Sequence, residues 1–216
     1  MKIAFDIVLL PSENLSDIII NLNHSLKRDY SNSRISLNNE NCIPHISLLM
    51  GIAPLKSLPQ IKTVLGHISQ NFKPLDLEII SLDSEDLQSK DRVLKIVGFS
   101  LGKSNALSKL HESLVKEIKP YFDSRELAKE MFYNPNEIDI EDAPWMFPYI
   151  QNFLRNSSYD NFNPHITIGD GFIEEQVRNQ ISLPRSFTAS RLAIYHLGNY
   201  CTCRKVLYET RFEGIN

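Results

Sequence analysis

Apolar and polar residues follow strand-like and helix-like spacings in turn along this chain. Residues 2–10 are almost entirely apolar and end at a Pro-Ser pair, which is typical of a buried strand. One charged residue, Asp6, interrupts that run. After Ser12, apolar residues recur every three or four positions, which predicts a helix to about residue 30. Residues 31–41 are mostly polar and predict an exposed loop.

The remaining periodicities predict the same order of elements twice. Predicted strands lie at residues 43–51, 74–82, 91–100, 163–169, 186–197 and 204–213. Predicted helices lie at about 57–70, 104–120, 125–132, 144–156 and 172–180. Each half therefore has the order strand, helix, Pro-His strand, helix, strand. We interpret this repetition as a duplication that gives two pseudo-equivalent lobes.

The chain is predicted to be one bilobal domain over residues 1–216. We place the lobes at about 1–85 and 86–216, and we interpret residues 121–163 as an insertion in the second lobe. The insertion is rich in aromatic residues, for which two roles remain open. They could form a lid that stacks on a nucleobase, or a hydrophobic cluster that holds the insertion down. Trp145, in a segment with a proline on either side, is the candidate for contact with substrate.

The two Pro-His strands carry one short pattern: histidine, an apolar residue, a hydroxyl residue and a second apolar residue. Alternation along the first strand sends His45 and Ser47 to one face and the apolar residues to the other. His165 and Thr167 share a face of the second strand in the same way. If a two-fold axis relates the lobes, the two pairs face each other across a groove.

Two histidines and two hydroxyls in one groove suit the cleavage of a phosphodiester. A neutral imidazole can take a proton from the nucleophile while a protonated imidazole gives one to the departing oxygen. Histidine suits both tasks because its ordinary pKa lets both forms coexist near neutrality. The hydroxyls of Ser47 and Thr167 can donate to the phosphoryl oxygens, where negative charge grows in the transition state. The two imidazoles supply both acid and base, so the mechanism requires no metal and no cofactor.

At His45-Ile46-Ser47-Leu48 and His165-Ile166-Thr167-Ile168 the sequence resembles the 2H phosphoesterase superfamily, which is named for two such motifs. Bacterial 2′-5′ RNA ligases and cyclic nucleotide phosphodiesterases are among its members. The resemblance implies a bilobal α+β fold in which two antiparallel sheets line a groove, with helices outside. It also implies metal-independent action on 2′,3′-cyclic phosphates or 2′-5′ linkages. In this family His45 and His165 would be the acid and base, in an order that the sequence leaves open, and Ser47 and Thr167 would bind phosphate.

Charge limits the class of nucleic acid that the chain could bind. The sequence has 23 Lys and Arg against 26 Asp and Glu, a formal net charge of −3. Such a balance argues against a long duplex, which needs a basic surface, and leaves a nucleotide or a short RNA end as partner. No apolar run reaches membrane-spanning length, and no leader is recognised, so we expect a cytoplasmic monomer.

Three cysteines lack the spacing of a disulfide framework and favour a reducing compartment. Cys201 and Cys203 with His196 could in principle bind zinc, but the usual second ligand pair is missing, so a structural turn is the preferred interpretation.

Two alternatives to a hydrolase remain open. A binding module could grip a nucleotide or phosphorylated ligand without turnover. An RNA 2′-5′ ligase could use the same groups in the reverse direction, since microscopic reversibility assigns them to both.

Overall fold

Apolar strands build two four-stranded antiparallel sheets, ordered β2-β1-β7-β8 and β5-β4-β3-β6. The structure, a computed structural model, describes residues 1–26, 34–90, 93–123, 126–173 and 184–214. The strands are β1 (Lys2–Leu10), β2 (Ile46–Pro54), β3 (Leu75–Gln88), β4 (Val93–Leu101), β5 (His165–Asp170), β6 (Ser186–Ala189), β7 (Arg191–Leu197) and β8 (Cys203–Arg211). The helices are α1 (Glu13–Ser25), α2 (Leu58–Gln70), α3 (Asn105–Ile118) and α4 (Met146–Asn156). The predicted α+β fold with two antiparallel sheets is confirmed.

The sheets do not follow the predicted lobe boundary. The first sheet takes β1 and β2 from the start of the chain and β7 and β8 from its end, while the second takes the four strands between. Residue 85 falls inside β3. The predicted single strand at 186–197 is wrong, because the chain passes from one sheet to the other at Ser190, between β6 and β7. Apolar residues continue through both strands, so the sequence pattern carries no mark of the crossing.

Helix ends agree with the predictions where a capping side chain is present. Ser12 and Ser104 each accept a hydrogen bond from the backbone N–H three residues on, and so begin α1 and α3. The first helix ends at Ser25, earlier than predicted, because Leu26 is extended. No described helix is long and apolar enough to cross a membrane.

The predicted insertion contains one of its two expected helices. The segment expected at 144–156 is α4. The described part of 125–132 has only a short 3-10 turn, Lys129–Met131. Most of the helix predicted at 172–180 lies outside the described residues.

The two motif strands each contain a β-bulge that was not predicted from the sequence. Between β1 and β2 the pairing passes from Val8–Ser47 to Ile7–Leu49, so Leu48 has no partner. Between β4 and β5 it passes from Gly98–Thr167 to Val97–Gly169, so Ile168 has none. Each bulge therefore directly follows the motif hydroxyl. Bulges of this kind redirect side chains and are frequent beside active sites, and their equivalence supports pseudo-symmetry between the sheets.

Candidate active site

A cavity of about 210 Å³ is lined by residues of both sheets. His45 lies immediately before β2 and Ser47 within it, while β5 supplies His165 and Thr167. All four predicted motif residues line this one cavity, although they are far apart in the sequence and belong to different sheets. The structure thus brings the two motifs together as the alternation of the strands predicted.

The two imidazoles are held in the same way. Nδ1 of His45 lies 2.8 Å from the carbonyl oxygen of Ile43, and Nδ1 of His165 lies 2.9 Å from that of Asn163. A carbonyl only accepts, so Nδ1–H is the donor in both rings. This bond leaves Nε2 as the atom that can take up or deliver a proton. Both histidines are therefore oriented by backbone two residues upstream.

Burial distinguishes the two histidines. His165 is exposed, whereas the side chain of His45 is only 15% exposed. Burial lowers the pKa of His45 to about 4, and the charge of His165 lowers it further, against the opposing effect of the Ile43 hydrogen bond. At neutral pH His45 is accordingly an uncharged imidazole with an unprotonated Nε2.

The two motif hydroxyls have different partners. Ser47 Oγ donates to Asp6 Oδ2 at 2.6 Å. The hydroxyl of Thr167 has no hydrogen-bond partner within the described ranges. The expected equivalence of Ser47 and Thr167 therefore does not extend to their hydrogen bonds.

Asp6 is a site residue that the sequence analysis missed. It lies in the middle of β1, is fully buried, and has Oδ2 at 3.9 Å from Nε2 of His45. Burial raises its pKa to about 7, although the hydrogen bond from Ser47 and the backbone of Ile7 act in the opposite direction. Its Oδ1 is buried without a hydrogen-bond partner among the residues that the structure describes. The only signal in the sequence is that a charged residue interrupts an apolar strand.

Among the described residues, the potential metal ligands that come together are Asp6, His45 and Cys203, whose donor atoms lie within 4.8 Å of one another. This is not the zinc set considered from the sequence. His196 instead uses Nε2 to bond the carbonyl of Met131 at 2.9 Å. The Cys203 thiol is buried, and that burial raises its pKa well above the ordinary value. All three cysteines are free and buried.

Aromatic side chains from the insertion and from the turn before β8 form one wall of the cavity. Trp145, which precedes α4, packs edge-on against Tyr149 and Tyr200 with ring centroids 6.3 and 6.1 Å apart. All three line the cavity. The indole Nε1 of Trp145 is buried and has no hydrogen-bond partner in the described part of the chain. The described residues that line the cavity include no lysine or arginine. Among them, Glu85 is the one that carries a carboxylate.

A second wall comes from the segment that was predicted to be an exposed loop. Ile35 and Leu37 are 5% and 3% exposed and line the cavity. The side chain of Asn23 donates to the carbonyls of Ile35 and Ile168 and accepts from the N–H of Leu37. Asp170 accepts from two further backbone N–H groups of the segment. The exposed-loop prediction is wrong for residues 35 and 37, because two distant polar side chains replace the water that their backbone would otherwise bind.

Comparisons with known proteins agree with this architecture. A sequence model of the 2′-5′ RNA ligase superfamily matches residues 38–200. The structure of E. coli LigT complexed with NADP+ has 12% identity and a TM-score of 0.57, covering 99% of this chain and 100% of that one. The same four values hold for the structure of TT0787 from Thermus thermophilus.

E. coli LigT complexed with 3′-AMP has 13% identity and a TM-score of 0.54, covering 99% and 100% of the two chains. A comparison with curated proteins finds no match. At these identities the structural likeness shows a shared fold, whereas the superfamily match spans more than half of the chain and includes both motifs. This chain therefore belongs to the 2′-5′ RNA ligase superfamily, the 2H phosphoesterases.

Proposed function

We propose that this chain is a metal-independent phosphodiesterase that acts on 2′,3′-cyclic phosphates or 2′-5′ linkages of nucleotides or RNA ends. The observation that carries the proposal is the pair of imidazoles in one cavity, each with Nδ1 tied to backbone and Nε2 left for proton transfer. One histidine accepts a proton from the nucleophile and the other donates one to the leaving oxygen. Superfamily membership supports an enzyme and leaves hydrolase and ligase directions to experiment.

The cavity favours a substrate with one phosphate and an apolar remainder. Within the described ranges, its lining has no lysine or arginine that would compensate several negative charges. The Thr167 hydroxyl can donate to a phosphodiester monoanion, and aromatic faces suit a nucleobase. Solved structures of E. coli LigT contain 3′-AMP, ATP and NADP+, which supports a nucleotide as the ligand class. A nucleoside 2′,3′-cyclic phosphate is accordingly the first substrate to test.

We expect purified protein to hydrolyse nucleoside 2′,3′-cyclic phosphates at an undiminished rate in the presence of EDTA. The assay follows product formation by chromatography, in parallel with 2′-5′ oligonucleotides and RNA that ends in a cyclic phosphate. Activity that disappears in EDTA and returns with a divalent cation would contradict the mechanism. Stoichiometric nucleotide binding by calorimetry, without product after long incubation, would instead favour a binding module. Joining of RNA ends would favour the ligase.

The Trp145→Ala variant tests the aromatic wall. Loss of one stacking face is expected to raise KM by about tenfold, because stacking of a base contributes about 1–3 kcal/mol, while kcat changes less. Trp145→Phe keeps an aromatic face and is the matched control. If Trp145 only holds the insertion down, the alanine variant will lower the unfolding temperature and leave KM unchanged.

A further inference from the structure

Asp6 makes the first motif chemically different from the second. In the first sheet Asp6 of β1 pairs with Met50 of β2. Met50 lies five residues after His45 and beyond the bulge at Leu48. The corresponding position of the second strand is Asp170, which lies five residues after His165 and beyond the bulge at Ile168. Its partner in β4 is Ile96. Ile96 thus takes in the second sheet the place that Asp6 takes in the first, and it also lines the cavity. A carboxyl group therefore lies at this position of the first sheet, and an aliphatic side chain lies at the corresponding position of the second.

This difference determines what each hydroxyl presents to a ligand. Ser47 donates its proton to Asp6 at 2.6 Å. Its oxygen can therefore only accept hydrogen bonds from a ligand. The hydroxyl of Thr167 has no partner within the described ranges, so its proton can turn to a phosphoryl oxygen. Ser47 Oγ and His45 Nε2 lie 2.6 and 3.9 Å from the same Asp6 oxygen. Two such acceptors suit a water molecule, which has two protons to donate. A phosphoryl oxygen, which only accepts, suits Thr167.

Building on the phosphodiesterase function proposed above, we propose that Asp6 is a positioning residue that orients Ser47 and thereby assigns the first motif to the attacking water. His45 is then the general base and His165 the general acid. Water forms a bond to phosphorus as its proton moves to Nε2 of His45. The bond from phosphorus to one ribose oxygen breaks as that oxygen takes the proton from Nε2 of His165. The products are a phosphomonoester and a ribose hydroxyl, and the two imidazoles end with their charges exchanged.

Burial agrees with this assignment, because it holds His45 in the uncharged form that a base requires. His165 is exposed, so solvent has direct access to its ring.

A double-mutant cycle tests whether Asp6 acts through Ser47. Asp6→Val removes the acceptor, and we expect kcat for adenosine 2′,3′-cyclic phosphate to fall about tenfold, the equivalent of one hydrogen bond. Asp6→Asn retains an acceptor oxygen and is expected to keep most of the activity. The effect of Asp6→Val should disappear in a Ser47→Ala background and persist in a Thr167→Ala background. An undiminished effect in the Ser47→Ala background would show a general structural role and overturn the inference.

A substrate with an altered leaving atom tests which histidine is the acid. Sulphur leaves without needing a proton, so a 2′,3′-cyclic phosphate analogue with bridging sulphur in the leaving position should restore turnover to His165→Ala. The same analogue should not restore turnover to His45→Ala. The opposite pattern would overturn the assignment, whereas failure of the unaltered enzyme on every cyclic phosphate would contradict the proposed function instead.

If the unaltered enzyme turns over no cyclic phosphate, a binding measurement still tests the role of Asp6. In crystals soaked with inorganic phosphate, we expect the Thr167 hydroxyl to bond a phosphate oxygen while Ser47 remains bonded to Asp6. A phosphate bonded by Ser47, with the Ser47–Asp6 hydrogen bond broken, would overturn the inference. So would an adventitious ion only, bound away from Thr167.

Discussion

Replacing His45 or His165 with alanine is expected to reduce turnover of a cyclic phosphate by about 10²–10⁴, the contribution typical of one positioned proton transfer. The backbone hydrogen bond at Nδ1 fixes the orientation of each imidazole, so alanine removes an Nε2 that is already positioned for proton transfer. The effect should fall mainly on kcat, because proton transfer stabilises the transition state rather than the bound substrate. Steady-state kinetics of the purified variants gives the measurement.

The control for these variants is His67→Ala, which removes an exposed histidine from α2. It should leave both kcat and the unfolding temperature close to those of the parent. The double variant His45→Ala/His165→Ala should be little slower than either single variant, since acid and base act in one step and their losses are not additive. A variant at either position that kept the parental rate would remove that histidine from the mechanism.

Replacing Asn23 with alanine is expected to destabilise the fold by about 2–4 kcal/mol, because three buried backbone groups lose a hydrogen-bond partner at once. Asn23 is fully buried and joins α1 to β5 and to the segment that carries Ile35 and Leu37. Since that segment is a wall of the cavity, KM should rise as well. Urea unfolding measures the first effect and substrate titration the second.

Asn21→Ala is the matched control, since Asn21 is exposed on the same helix two residues earlier. Its change in unfolding free energy should stay within about 0.5 kcal/mol. If Asn23→Ala were as stable as this control, the buried hydrogen bonds of Asn23 would contribute little and the wall would be held by apolar packing alone.

The residues that line the candidate site were largely predictable from local pattern. Strand alternation placed His45 with Ser47 and His165 with Thr167, and the repetition of the pattern indicated a shared groove. Such predictions succeed because the direction of a side chain in a strand depends on its immediate neighbours. Trp145 was predicted from the rigidity of its segment, and the structure places it in the cavity wall.

Asp6 and Asn23 were not predictable because their partners are distant in sequence. The hydroxyl that bonds Asp6 lies 41 residues away, and one carbonyl bonded by Asn23 lies 145 residues away. A carboxylate in an apolar strand and an asparagine in a helix have many unremarkable explanations. Only the pairing of β1 with β2, and the packing of α1 near β5, gave these polar groups a buried partner.

The sequence by itself determined most of the strands and helices, the two related motifs and the residue types that make His45 and His165 candidates for acid-base chemistry. Only the tertiary structure decided how the strands are divided between the sheets, with β1 and β2 pairing with strands from the other end of the chain. It also decided that the two sheets differ beside the motifs, since Asp6 occupies in β1 the position that Ile96 occupies in β4. The reason is physical: periodicity records whether a residue is buried, whereas the identity of its neighbour depends on long-range pairing that no local pattern encodes.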